Sequence, residues 1–177
     1  GGSIPGRAVG SLATGKASFW QSDWFTLAEQ NMRAAAPAPS SGVQGFVQSS
    51  IDSMNTGLAT LRSISSNQTP FAMPNSGIGR NLADVVRMMM ANRGTAFFIP
   101  YGGFDTHQDQ AQAHQNLFTN LNNALVPFIR NLKAIAHPEG GSVWDRTVIL
   151  TRTDFGRTFE NRSRGTDHGH AHTQMVL

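Results

Sequence analysis

Helices alternating with short buried strands of a mostly parallel sheet, behind a helix-rich N-terminal half, form the α/β architecture this sequence predicts. Three observations lead there. Apolar residues recur at helical spacing in several stretches. Two short apolar runs, at 95–99 and 148–151, each lie beyond a helical stretch that ends in a glycine-bearing stop. A loop bearing Asp or His follows each run, at what would be the carboxyl end of a parallel strand.

Residues 1–16 are rich in Gly, Ser and Ala without a period and read as loop. A helix with an aromatic face (Phe19, Trp20, Trp24, Phe25) is expected over 17–36, and Pro37 to Gly42 forms a linker after it. Val47, Ile51, Met54, Leu58 and Leu61 then step by four, three, four and three, which is one stripe of an amphipathic helix over 43–64. Such a stripe reads as core. The Ser-, Asn- and Pro-rich stretch 65–77 is a loop, so 1–77 is assigned as a helical and loop segment and 78–177 as an α/β core.

Within that core a helix is expected over 78–92, with Leu82, Val85, Val86, Met89 and Met90 inward. Met88 to Met90 have no His or Cys nearby and read as gap-filling side chains rather than a soft metal site. Asn92-Arg93-Gly94 stops the helix, and 95–99 is the first buried strand. A longer helix over 110–136 carries Leu117, Leu121, Leu125, Phe128, Leu132 and Ile135 on one face, with Pro127 inside it as an expected kink. The second buried strand is 148–151. The last residues, 174–177, read as a strand cut short, so the sheet is expected to be incomplete, with an exposed edge and self-association into homo-oligomers as its consequence.

Composition bounds the function. The 177 residues suit one domain of ordinary size. Charged residues make up only 14%, so Asn, Gln, Ser and Thr must supply most of the surface polarity. A net charge of +3 spread over scattered arginines is too diffuse for a nucleic-acid interface. Only Arg157, Arg162 and Arg164 cluster, and they do so beside the His/Asp residues. A guanidinium there suits a small anionic substrate. The absence of cysteine excludes disulfides, thiolate ligands and a thiol nucleophile in this chain. No apolar run is long enough to span a membrane.

Two patches carry the chemistry. Asp105 and His107 are two apart and would face one side of an extended loop. The plain alternative is that Asp105 caps the next helix and His107 is an exposed residue. Asp154, just past the second apolar run, has the same two readings. Arg157 can bind substrate or simply pair with Asp154 or Glu160. The run Asp167-His168-Gly169-His170-Ala171-His172 is more specific, because alternation would project all three imidazoles from one face. Carboxylate and imidazole are the ligands of hard and borderline divalent cations. The two patches together predict a metal centre assembled on loops.

Three stretches in order carry a resemblance: Gly102-Gly103-Phe104-Asp105-Thr106-His107-Gln108; Thr153-Asp154-Phe155-Gly156-Arg157-Thr158 with Asn161; and Gly165-Thr166-Asp167-His168-Gly169-His170. The chain resembles the bacterial DUF1501 family, which is related to the alkaline phosphatase and sulfatase superfamily. The resemblance covers 78–177 well and 1–77 loosely. It implies part of an alkaline-phosphatase-like three-layer fold and a divalent metal, one of zinc, manganese, magnesium or calcium. Asp105 and His107 would match a ligand pair, Asp154 the acidic residue after the next strand, and His168, with Asp167 or His170, the last ligand group. The implied activity is metal-dependent hydrolysis of phosphate or sulfate esters. Arg157 would hold an anionic oxygen, and His170 would serve as a ligand or protonate the leaving group. Export to the periplasm or the medium also follows from the resemblance. The chain departs from the superfamily pattern at Phe155, where a histidine is usual, in the short Asp105–His107 spacing, and in lacking a nucleophile strand. Phe155 and the missing nucleophile strand favour a rival reading, a non-catalytic metal-binding or structural protein.

Overall fold

The computed structural model describes residues 42–177. The helix expected over 17–36 and most of the linker after it lie outside the described residues. The described chain falls into two units that part between Gln68 and Thr69.

The first unit contributes α1 (Gly42–Ser65), which matches the predicted stripe to within a residue at each end. Of that stripe Val47 is exposed, whereas Ile51, Met54, Leu58 and Leu61 are half-buried.

In the second unit, α2 (Gly77–Met90) begins where the Ser76 hydroxyl accepts a hydrogen bond from the Gly79 amide at 3.2 Å. It ends as the sequence requires. Asn92 and Gly94 take positive φ values of 50° and 81°, which the helix cannot continue through. The next helix, α3 (Gln110–Ala134), packs against α2. Ile78, Leu82, Val85 and Val86 of α2 meet Ala124, Phe128 and Leu132 of α3 in the core, which Val143 closes. A short 3₁₀ turn (Trp144–Arg146) lies against α3. Asn131 of α3 is a polar side chain with no exposed surface.

The predicted fold class is wrong. Among the described residues there is no parallel sheet and no three-layer arrangement. The only sheet has two antiparallel strands, β1 (Gly156–Glu160) and β2 (Thr166–Gly169). Neither apolar run is a strand of a sheet. Residues 95–99 form no ladder, and Leu150 makes only an isolated antiparallel bridge to Val176. The backbone bonds around that bridge join Ile149 to Leu177 and Thr151 to Met175. Burial alternates along both runs. Phe97, Ile99, Tyr101 and Ile149 pack on the core, while Phe98, Val148 and Leu150 face outward. Local apolarity signals an extended run with an inward face. It does not say which other segment completes the ladder, and here the runs do not pair with each other.

The strands that do form were expected as loops. Their register pairs Gly156 with Gly169, Arg157 with His168 and Glu160 with Thr166, with an irregularity between Arg157 and Glu160. None of the described helices is long and apolar enough to cross a membrane.

Candidate metal centre

The site forms where the loop before α3 docks on the β1–β2 hairpin. Thr106 is the pivot. Its backbone carbonyl accepts from the Thr166 amide at 3.1 Å, tying the loop to the start of β2. Its hydroxyl lies 3.0 Å from Nε2 of His114, a residue of α3 held edge-on between Phe104 and Phe118. With Thr106 turned into the protein, its neighbours Asp105 and His107 are exposed and meet on the other side of the loop.

The turn between the strands is held from inside by Asn161. Its side-chain oxygen accepts from the amides of Ser163 and Gly165 at 2.9 and 3.0 Å, and its amide nitrogen donates to the His107 carbonyl. Gly165 lies so close to the loop that a methyl group in its place would sit 2.1 Å from the His107 carbonyl carbon. The turn also caps α3, because the amides of Asp109 and Gln110 donate to the carbonyls of Ser163 and Arg164. Asp109, not Asp105, stands at the helix start, and its side chain makes no cap bond.

Three groups converge on one oxygen. Oδ1 of Asp105 lies 3.0 Å from His107 Nε2, 3.0 Å from His168 Nε2 and 2.7 Å from Arg157 Nη1. One ligand atom from each of Asp105, His107 and His168 lies within 4.8 Å of the others. His107 has a second carboxylate on its far side, with Nδ1 3.0 Å from Asp167 Oδ1. Phe155 stacks on His168 at 4.6 Å and 21° and sets the plane of its ring.

Arg157 is fixed at every nitrogen. Nε donates to the Thr166 hydroxyl at 2.7 Å, Nη2 donates to the Thr166 carbonyl, and Nη1 donates to Asp105. The Thr166 hydroxyl in turn donates to Gln110 Oε1 at 2.6 Å.

Both carboxyls are acidified. The His168 bond, followed by that of Arg157, holds Asp105 below its ordinary value of 3.8, and the His107 bond, followed by that of Asn161, does the same for Asp167. A folded-state value below the unfolded one contributes stability that is present above the unfolded value and is lost as pH falls through the folded one. The melting temperature is therefore expected to drop as pH falls below about 4, the ordinary aspartate range. Asp105→Asn should flatten that drop in a pH series of thermal melts.

The structure thus brings together Asp105, His107, Asp167, His168 and Arg157 from the predicted set. It leaves two out. Asp154 is exposed and does not join the cluster. His170 faces a groove shared with Arg157, Thr158 and Phe159. The alternation that was to align three imidazoles ends with β2 at Gly169, so only His168 enters the centre. Sequence reasoning missed Thr106, Gln110, His114 and Thr166. Asn161 and Gly165, which hold the turn, entered the sequence reading only as parts of the resemblance.

The model of the DUF1501 family, described as a protein of unknown function, matches residues 29–177. The chain belongs to this family. No curated protein and no solved structure matches it. The DUF1501 match takes in the whole of both loops and the hairpin, so the cluster is built entirely from family sequence.

Proposed function

We propose that this DUF1501 chain holds a divalent cation between Asp105, His107 and His168, and that the cation serves hydrolysis of a small phosphate or sulfate ester. The observation that carries the reading is His107. A neutral imidazole has one N–H, yet both nitrogens face a carboxylate oxygen at 3.0 Å. With Asp167 accepting from Nδ1, the Nε2 lone pair is left pointing at Asp105. A cation between them resolves that opposition, and a carboxylate behind a ligating histidine is the usual support of such a centre. Ligand atoms of a tetrahedral cation on bonds of about 2.0–2.1 Å stand roughly 3.4 Å apart, so the 3.0 Å spacings open by a few tenths of an ångström on binding.

A bound cation supplies polarisation of the ester oxygen and a more acidic attacking hydroxyl. Around it, Arg157 keeps one N–H on each Nη beyond those it spends on Asp105 and Thr166, and these are the donors we assign to an anionic ester oxygen. His170, on the groove that Arg157 also lines, is assigned to protonating the leaving group.

A second reading, cation binding without turnover, is favoured by exposure. The side chains of Asp105, His107 and His168 are 52%, 48% and 57% exposed, which leaves a reacting ester open to water. Zinc and manganese titration, followed by aryl phosphate and aryl sulfate assays with and without chelator, separates the two. The hydrolase reading expects chelator-sensitive turnover. It also expects His170→Gln to lose turnover while still binding zinc. Asp167→Asn should weaken zinc binding by roughly 10- to 100-fold, the usual effect of removing a carboxylate behind a ligating histidine. Either metal bound without turnover leaves the second reading, and binding of neither removes both.

A further inference from the structure

Arg157 is an odd neighbour for a cation centre. Ligand sets gain affinity for a dication from negative charge, and a guanidinium on the ligand oxygen opposes it. We propose that Arg157 is a built-in counter-charge that holds down the cation affinity of the Asp105 centre and so keeps its cation exchangeable. This rests on Asp105, His107 and His168 being the ligands.

The charge is stationary. The Arg157 side chain is only 16% exposed, against 52% for Asp105. Three of its donors are committed, two of them to Thr166, whose hydroxyl is itself anchored on Gln110. A passing surface pair would swing away from an incoming cation, whereas this one cannot without breaking both bonds to Thr166.

Nor does it have to leave. A carboxylate oxygen offers two lone pairs, so Oδ1 can keep the Arg157 bond and still ligate. Asp105 and Asp167 bring two negative charges and Arg157 cancels one. With neutral imidazoles the centre presents a single net negative charge to a dication.

The alternative role makes the opposite prediction. If Arg157 merely aimed Asp105, its removal would free that carboxylate and loosen cation binding. Charge compensation makes removal tighten it.

The test is a titration of zinc alone into the whole chain at low ionic strength. Arg157→Gln is expected to bind about tenfold tighter than the native protein, the order of effect of one unit charge a few ångströms from a dication in a wet site. Gln110→Glu is the second variant. It keeps the acceptor for the Thr166 hydroxyl, places a carboxylate at a helix N-terminus where it is tolerated, and offsets the guanidinium without moving it. It should tighten zinc binding about threefold, and it decides the matter if Arg157→Gln does not fold. Unchanged or weaker binding overturns the proposal. Native protein that binds no zinc would instead sink the centre itself.

Discussion

Gly165→Ala is expected to take the site apart while leaving the helical core standing. A β-carbon at this position would lie 2.1 Å from the His107 carbonyl carbon, 2.3 Å from its oxygen and 2.4 Å from the Gln108 nitrogen. All three are backbone atoms, so no side chain can rotate aside to make room. The hairpin turn must lift off the loop. Lifting it breaks the Asn161 bond to the His107 carbonyl and strains the Thr166–Thr106 bond next to it. Asp167 and His168 then leave Asp105 and His107. Zinc affinity should fall at least hundredfold, more than for loss of one supporting carboxylate. The apolar core between α2 and α3 should persist, because its contacts lie elsewhere, while the first turn of α3 loses its caps from Ser163 and Arg164. Zinc titration and far-ultraviolet circular dichroism on the same sample read the two effects. Full-strength zinc binding by this variant would show that the turn and loop are not in contact.

The largest loss of stability is expected at Asn131. Its side chain is fully buried, yet each of its polar atoms is used. The oxygen accepts from the Phe71 amide at 2.8 Å, and the nitrogen donates to the carbonyls of Phe71 and Pro127 at 3.1 and 2.9 Å. The fold has a reason for a polar group here, since residues 69–73 cross α3 without a strand partner and their backbone must bond to something. Asn131→Ala would leave those backbone groups unsatisfied and open a cavity. Each unsatisfied buried group costs about 1–3 kcal/mol, so a total near 3–5 kcal/mol is expected. For a unit of this size that lowers the melting temperature by roughly 15 °C or more. Asn131→Asp, which has the same shape but loses the donor and gains a charge, should be no milder. A thermal melt of either variant within two degrees of native would contradict the account.

The three helices were legible because apolar residues recur at helical spacing in each, although that stripe is buried in α2 and α3 and only half-buried or exposed in α1. α1, α2 and α3 begin and end within about two residues of their predicted limits. The sheet was not. Residues 95–99 and 148–151 announce that they are extended and apolar, but pairing is a relation between distant segments, and nothing in either run names its partner. The hairpin escaped for a related reason. Gly156 and Gly169 are poor strand formers, and they pair because a side chain would collide with the facing backbone.

In the site, the ligand chemistry was visible in Asp105, His107 and His168, since a carboxylate and imidazoles carry their function in their identity. The predicted Asp154 was not brought in, because a position at the end of an apolar run counts only if that run belongs to the sheet. The support offered by Thr106, Gln110 and His114 could not be read at all. Their side chains matter through contacts made across the chain, and any of them would pass for an ordinary helix or loop residue.

One rod carries both ends of this arrangement. Gln110, at the first turn of α3, grips the hairpin through Thr166, and Asn131, near the last turn, grips the crossing segment at Phe71. At 1.5 Å per residue the two grips stand about 30 Å apart, and each residue advances the helix by about 100°. Inserting or deleting a single residue between them would swing one grip away from its target while the other held. The exposed face of α3 is free to drift in composition, but its length is locked.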